Sequence, residues 1–185
     1  VEIPGNTTWT VDDDGKADFD NIQDAIDAAS DGDEIVVMSG TYTGTGDQVV
    51  DMKGKTIWLH SNDVLLRPII DGELARRGIL CNSGETSKTI IEGFTITNGF
   101  SYSGGGMRNY ESSPTITDCT FTGNAATSVG AGMDCREYSS PTLTDCTFTN
   151  NTAQQGGGMF SWYHSSPTLT NCTFTNNTAT DYGGG

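Results

Sequence analysis

Apolar and polar residues alternate along much of this chain with a period of two. In the segment "PTLTDCTFTNN", threonines separate the apolar residues Leu143, Cys146 and Phe148. A period of two with threonine and phenylalanine predicts β-strands. The step of three residues from Leu143 to Cys146 predicts a bend near Asp145. We therefore predict three short strands in each repeat, "GGGMFSWY", "PTLT" and "CTFT".

The same pattern returns at a fixed distance, 26 or 27 residues, in the second half of the chain. Three sets of residues carry this spacing: Pro114, Pro141 and Pro167; Cys119, Cys146 and Cys172; Met107, Met133 and Met159. A period in the twenties indicates a solenoid. Since the repeats have no room for a crossover helix, each one should close into a triangular coil of parallel strands.

Parallel stacking in register places each residue above its counterpart, about 4.7–4.9 Å away. We expect four inward or turn columns: Cys119, Cys146 and Cys172; Phe121, Phe148 and Phe174; Ile116, Leu143 and Leu169; and a hydrogen-bonded ladder of Asn124, Asn151 and Asn177. The glycine triplets should allow a tight corner with positive φ.

The N-terminal half predicts a cap and less regular coils. The segment "DFDNIQDAIDAASDGD" predicts a helix over about 19–29, with Asp18 as its N-cap and Gly32 as its stop. We assign one domain over 1–185: a cap over 1–34, irregular coils over 35–99 and three repeats over 100–185. The sequence ends at Gly185, one residue before the counterpart of Met159, so we expect an uncapped C-terminal coil that self-associates.

Two groups of motifs resemble a known family. "TVDDDGKADFDNIQDAIDAASDGDEIVVMSGTYTG" resembles the start of secreted right-handed parallel β-helix proteins of the pectin lyase-like superfamily. The motifs "FTGN" and "FTNN", with "GGGM" and "GAGM", are similar to the chlamydial-type polymorphic outer-membrane protein repeat, although methionine replaces its isoleucine. The resemblance implies an all-β right-handed β-helix, secreted or at the cell surface. It leaves function open, because the superfamily includes lyases, hydrolases, epimerases and adhesins.

Charge excludes two classes of partner. The chain has 24 acidic and 9 basic residues, a net charge of −15, which disfavours nucleic acid and anionic membrane. No apolar run is long enough to cross a bilayer. The five cysteines are expected to be mostly buried hydrophobes. One disulfide between neighbouring coils remains open, and zinc is disfavoured because the column offers no tetrahedron.

The repeats differ most in one strip after the glycine triplets. If the methionines point inward, the outward residues and the adjoining corner are Arg108, Tyr110, Asp134, Arg136, Tyr138, Phe160, Trp162 and His164. Aromatic faces with arginine and aspartate suit a sugar or a protein partner. We expect Trp162→Ala with Arg136→Ala to remove binding while leaving the unfolding midpoint nearly unchanged. The alternative is an ordinary exposed sheet surface.

Two other features carry hypotheses of their own. Asp12, Asp13, Asp14 and Asp18 form a candidate Ca²⁺ site, against the simpler interpretation of a turn with charge near a helix N-terminus. Repeated Thr-x-Thr pairs resemble ice-binding faces, although threonine is also common on exposed strands.

We expect a non-enzymatic extracellular structural or adhesive module, with no required cofactor and a polysaccharide or a cell-surface protein as partner. The alternatives are polysaccharide binding or degradation, as a lyase or glycoside hydrolase, and ice binding. Two or three clustered carboxylates on the strip would favour the enzyme, and a flat aromatic surface would favour adhesion.

Overall fold

Strands of two to five residues pair in parallel with their copies one turn away and wind into a right-handed parallel β-helix. The computed structural model describes residues 7–184. Seven strands in one of the sheets mark about seven successive turns. The predicted all-β solenoid with a short N-terminal helix is confirmed.

The strands form four parallel sheets, numbered here in the order in which a repeat visits them. Sheet 1 contains β1 (Thr8–Val11), β2 (Glu34–Val37), β5 (Trp58–Ser61), β8 (Ile90–Glu92), β12 (Thr115–Thr117), β16 (Thr142–Thr144) and β20 (Thr168–Thr170). Sheet 2 contains β3 (Thr41–Tyr42), β6 (Ile69–Asp71), β9 (Thr95–Thr97), β13 (Thr120–Thr122), β17 (Thr147–Thr149) and β21 (Thr173–Thr175). Sheet 3 contains β10 (Phe100–Ser103), β14 (Ala125–Val129), β18 (Thr152–Gln155) and β22 (Thr178–Tyr182). Sheet 4 contains β4 (Gln48–Asp51), β7 (Arg77–Cys81), β11 (Met107–Tyr110), β15 (Met133–Arg136) and β19 (Met159–Trp162).

Each repeat therefore has four strands, and the prediction of three was too few. The additional strand, in sheet 3, follows the asparagine turn, where the sequence suggested a loop. Its pairing shifts register, as between Ala153 and Gln155, so the alternation of period two is broken there. Its inward residues Ala126 and Ala153 are small and pack with Ala131 in a separate cluster. A short strand with small inward residues and a bulge carries little hydrophobic signal.

The helix α1 (Ile22–Ala28) is shorter than the predicted range of about 19–29. Its N-cap is Asn21, whose side chain accepts a hydrogen bond from the backbone N–H of Asp24 at 2.8 Å. The predicted cap, Asp18, instead accepts bonds from the backbone and hydroxyl of Thr10. The last helical residue is Ala28 and the C-cap is Ala29, which agrees with the predicted end at about 29, three residues before Gly32. Its buried face joins the core of the coils.

Columns of identical or similar side chains fill the core, as the spacing predicted. Phe121, Phe148 and Phe174 stack with ring centroids 4.7 Å apart and nearly parallel planes. Leu143 is buried above Ile116, whereas Leu169, in the last described turn, is 40% exposed. Each inward residue is thus covered mainly by its own copies in the turns above and below.

A ladder of asparagines holds the turn between sheets 2 and 3. Asn124 donates through Nδ2 to Asn151 Oδ1, and Asn151 donates to Asn177 Oδ1, both at 3.0 Å. The same oxygens accept backbone N–H groups, for example that of Asn124 at 3.0 Å. Because Asn124 and Asn151 are buried, these bonds satisfy polar groups that water cannot reach.

All five cysteines are free thiols, and the disulfide left open by the sequence does not form. Cys119, Cys146 and Cys172 lie between registered strands and make one column. Cys81 and Cys135 share a second column with Asn109 between them. Burial raises the pKa of the Cys135 and Cys146 thiols to about 12. These cysteines act as small core residues.

Replacing Phe148 by alanine should lower the free energy of unfolding by about 3–5 kcal/mol, because a cavity opens between two stacked rings. The matched control is Thr147→Ala on the outward face of the same strand, which should cost under about 1 kcal/mol. Chemical denaturation of both variants measures the difference. Equal losses would contradict the assigned inward and outward faces.

Candidate functional site

The predicted strip lies on the outward face of sheet 4, in the predicted register. Met107 pairs with Met133 and Met133 with Met159, and the methionines point inward. The outward rows are Arg108, Asp134 and Phe160, followed by Tyr110, Arg136 and Trp162. Tyr138 and His164 lie at the adjoining corner, before the next strand of sheet 1.

Asp134 is wholly buried although it lies on the outward face, and so it cannot contact a ligand from the surface. The turn before the strand folds over it: Gly130 has a φ of +61°, and a Cβ there would lie 2.9 Å from the Cβ of Asp134. Sequence alternation alone could not show this cover. The expectation that Asp134 belongs to an exposed contact surface is therefore corrected.

Two arginines enclose the buried carboxylate. Arg136 Nε donates to Asp134 Oδ1 at 3.0 Å, and Arg108 Nε lies 3.8 Å from Asp134 Oδ2. Burial raises the pKa of Asp134, and the hydrogen bond and charge of Arg136 oppose this shift. A third arginine, Arg77, is nearly buried beside the same cluster, and burial together with the charge of Arg108 lowers its pKa to about 10. The ion cluster positions the two partly exposed arginines of the strip.

Aromatic rings cover the outer side of this cluster. Phe160 and Trp162 lie with centroids 6.3 Å apart and planes within 12° of parallel. The Arg136 guanidinium lies 5.6 Å from the Phe160 ring centre, and Arg108 lies 5.3 Å from that of Tyr110. Trp162 is 61% exposed. The outer surface of the strip is thus aromatic and cationic, with its one carboxylate underneath.

The corner beside the strip extends the aromatic surface. Tyr138 stacks on His164 at 5.1 Å and meets Tyr163 edge-on at 5.6 Å. Tyr138, Tyr163 and His164 all have positive φ, which turns the backbone sharply and presents their side chains to solvent. Sequence reasoning missed Tyr163, although it stands between two residues that were selected.

The four carboxylates of the candidate Ca²⁺ site have separate partners. Asp18 accepts bonds from Thr10, Asp13 accepts the backbone N–H of Thr41, Asp14 pairs with Lys16, and Asp12 accepts the N–H of Asp14. Within residues 7–184, no group of three or more His, Cys, Asp or Glu side chains is arranged to hold a metal ion. The structure does not bring these carboxylates together.

The threonine pairs form two outward arrays in register. On sheet 2 the rows are Thr95, Thr120, Thr147 and Thr173, and Thr97, Thr122, Thr149 and Thr175. On sheet 1 they are Thr115, Thr142 and Thr168, and Thr117, Thr144 and Thr170. Strand spacing of about 4.7–4.9 Å separates successive threonines in a row.

The fold and its repeated register define a parallel β-helix protein. The chain matches the family described as "Right handed beta helix region" over residues 35–185, and it belongs to that family. Comparison with curated proteins and with solved structures finds no match in either set. In the part of the chain that the structure describes, no helix is long and apolar enough to cross a bilayer.

Because of the ion cluster, we now expect Arg136→Ala to lower the stability of the protein, whereas the sequence alone predicted a nearly unchanged unfolding midpoint. Removing Arg136 leaves the buried Asp134 carboxylate without its 3.0 Å partner, and we expect a loss of about 3 kcal/mol in the free energy of unfolding. Burial raises the pKa of Asp134 and Arg136 opposes this shift, so the pKa of Asp134 should rise further in the variant. Protonation then removes the unpaired charge, and the loss of stability should be smaller at about pH 5 than at about pH 8. Denaturation at both values tests this.

The control is the double variant Arg136→Ala, Asp134→Asn, in which no buried carboxylate is left without its arginine partner. It should recover part of the lost stability and lose most of the pH dependence. A single variant as stable as the parent at both pH values would contradict the role of the ion pair.

Proposed function

We propose that the protein is a non-enzymatic, extracellular adhesive module that binds a cell-surface protein through the strip on sheet 4. The observation that carries the proposal is the aromatic surface made by four exposed side chains, Trp162, Tyr138, Tyr163 and His164, beside the half-buried Phe160. Tyrosine, tryptophan and arginine are the residues that most often dominate binding energy at protein interfaces.

The rigidity of the strip supports this role. Its rings stack on one another and on arginines, and the arginines are tied to a buried carboxylate. A surface already ordered before binding loses less side-chain freedom when a partner docks. A solenoid also presents such a strip along a continuous sheet, which suits contact with an extended partner.

The second candidate is an acidic polysaccharide, favoured by the two partly exposed arginines, Arg108 and Arg136, beside flat rings. Guanidinium groups suit the carboxylates of uronates. Degradation of such a polymer needs acid–base groups at the surface. Asp134, the strip's carboxylate, is buried and paired, and this arrangement supports binding rather than cleavage.

Binding assays with immobilised wild-type protein test the proposal against a glycan array and a panel of extracellular matrix proteins. We expect capture of a protein partner and a loss of at least about tenfold in affinity for Trp162→Ala. Trp58→Ala, which removes an exposed tryptophan from a different sheet, is the control and should bind normally.

A uronate-lyase absorbance assay on the same preparation separates the alternatives. Capture of uronate glycans alone would favour polysaccharide binding, and release of unsaturated product would favour an enzyme. Equal binding by Trp162→Ala and the parent would show that the strip is ordinary surface.

Ice binding remains a third candidate, supported by the registered threonine rows of sheet 2. If it holds, Thr149→Lys should remove thermal hysteresis, because a long charged side chain breaks the regular array. Trp162→Ala, on sheet 4, should leave hysteresis unchanged. A parent protein without measurable hysteresis would exclude this function.

A further inference from the structure

A second exposed tryptophan stands on sheet 1, away from the strip. Trp58 begins β5, is 40% exposed, and pairs with Glu34 on β2 and Ile90 on β8. Its counterparts in the later repeats are threonines, Thr115 and Thr142, so stacking does not require an aromatic residue here. An exposed indole at a position that the fold leaves free needs a separate explanation.

The indole is held in one orientation. Its Nε1 donates to Glu92 Oε2 at 3.0 Å, and the His60 ring stacks on it at 4.0 Å with planes 23° apart. His60 Nε2 in turn lies 2.9 Å from Glu34 Oε1, and Thr8 Oγ1 donates to Glu34 Oε2 at 2.7 Å. Trp58 is thus held by Glu92 on the neighbouring strand β8 and by His60 on its own strand, and His60 is in turn held by Glu34 on β2, as in a preorganised binding group.

One side of the indole borders an open cleft. His60 follows Trp58 toward the C-terminal end of the strand, whereas the cleft lies at the N-terminal ends of β2 and β5. It has a volume of about 580 Å³ and is lined by Thr8, Asp31, Glu34, Thr56, Trp58 and Lys88, among others. Thr56, two residues before Trp58, lines the cleft and His60, two residues after it, does not, so the cleft lies on the side of Trp58 away from His60. Volumes of about 300–1,000 Å³ are usual for small-ligand sites.

The polar groups of the cleft are mainly hydrogen-bond acceptors. Asp31 accepts the backbone N–H of Thr56 at 2.8 Å, and this bond lowers its pKa. The hydrogen bonds from Thr8 and His60 lower the pKa of Glu34. Both groups are therefore carboxylates at neutral pH, and each has lone pairs left to accept further hydrogen bonds from a ligand. Lys88 supplies one cation.

This chemistry selects among ligands. Carboxylates in an acidic chain repel an anionic ligand, such as a uronate or a sulfated sugar. A neutral pyranose has an apolar C–H face that packs on an indole and a rim of hydroxyl donors that carboxylates accept. We propose that Trp58 and the cleft beside it bind a ring of a neutral polysaccharide, as a site separate from the strip of sheet 4.

Calorimetric titration and tryptophan fluorescence test this with three probes: cellohexaose, xylohexaose and mannohexaose. We expect at least one probe to bind at millimolar concentration or below. Trp58→Ala should weaken that binding at least tenfold, and Trp58→Phe, which keeps a ring but loses the bond to Glu92, should weaken it less. Glu34→Gln should also reduce affinity, since it removes an anionic acceptor and loosens His60.

The matched control is Trp162→Ala, whose exposed indole lies on sheet 4; it should bind the probe like the parent. Hexagalacturonate should bind more weakly than the neutral probe. The proposal is overturned if none of the three probes binds, or if Trp58→Ala has a normal unfolding midpoint and binds the probe like the parent. Tetramethylammonium tests a cation as the alternative ligand, and binding of this probe in place of the sugars would also overturn the proposal. In the test of the strip, Trp162→Ala is the variant and Trp58→Ala is the control, and here the two roles are exchanged. The proposal for the cleft and the proposal for the strip can therefore fail independently.

Discussion

The structure depends on one constraint: each residue of a coil must be compatible with its own copy in the next coil, about 4.7–4.9 Å away. Phenylalanine satisfies the constraint by stacking, asparagine by a ladder of amide bonds, and cysteine or leucine by filling equal volumes. A charged inward residue would meet another in the next turn. The inward columns are therefore nearly fixed, and the chain can vary freely only on its outer face and at its corners.

The charged and aromatic side chains that could bind a ligand lie at outward positions, where the repeats differ from one another. On sheet 4 the row of Arg108, Asp134 and Phe160 changes character at every turn. Arg108 forms an ion pair with Asp134 of the next turn, and Arg136 makes a cation–aromatic contact with Phe160 of the turn after that. On sheet 1 the early turns carry Glu34 and Trp58, whereas the later turns carry threonine. One scaffold thus presents two unlike surfaces without any change in its core.

Sequence reasoning recovered what stacking controls. The inward columns, the asparagine ladder and the pairing of the strip all followed from the repeat spacing. It missed the strand around Ala153, whose bulge hides the alternation, and the burial of Asp134, which a preceding glycine turn covers. It also missed the cleft beside Trp58, because the early coils do not repeat closely and their lining residues come from distant segments.

The corner before sheet 1 also explains why the repeat is 26 residues long in one place and 27 in another. Between Tyr110 and Ser112 the corner has a single residue with positive φ, Glu111, whereas the next two turns have two, Glu137–Tyr138 and Tyr163–His164. The serines that follow remain bonded from turn to turn, so the added residue does not disturb the sheets. Such a corner can gain or lose length while the core stays in register. Insertions can therefore lengthen this corner, and extend it further into solvent, without a compensating change in the core.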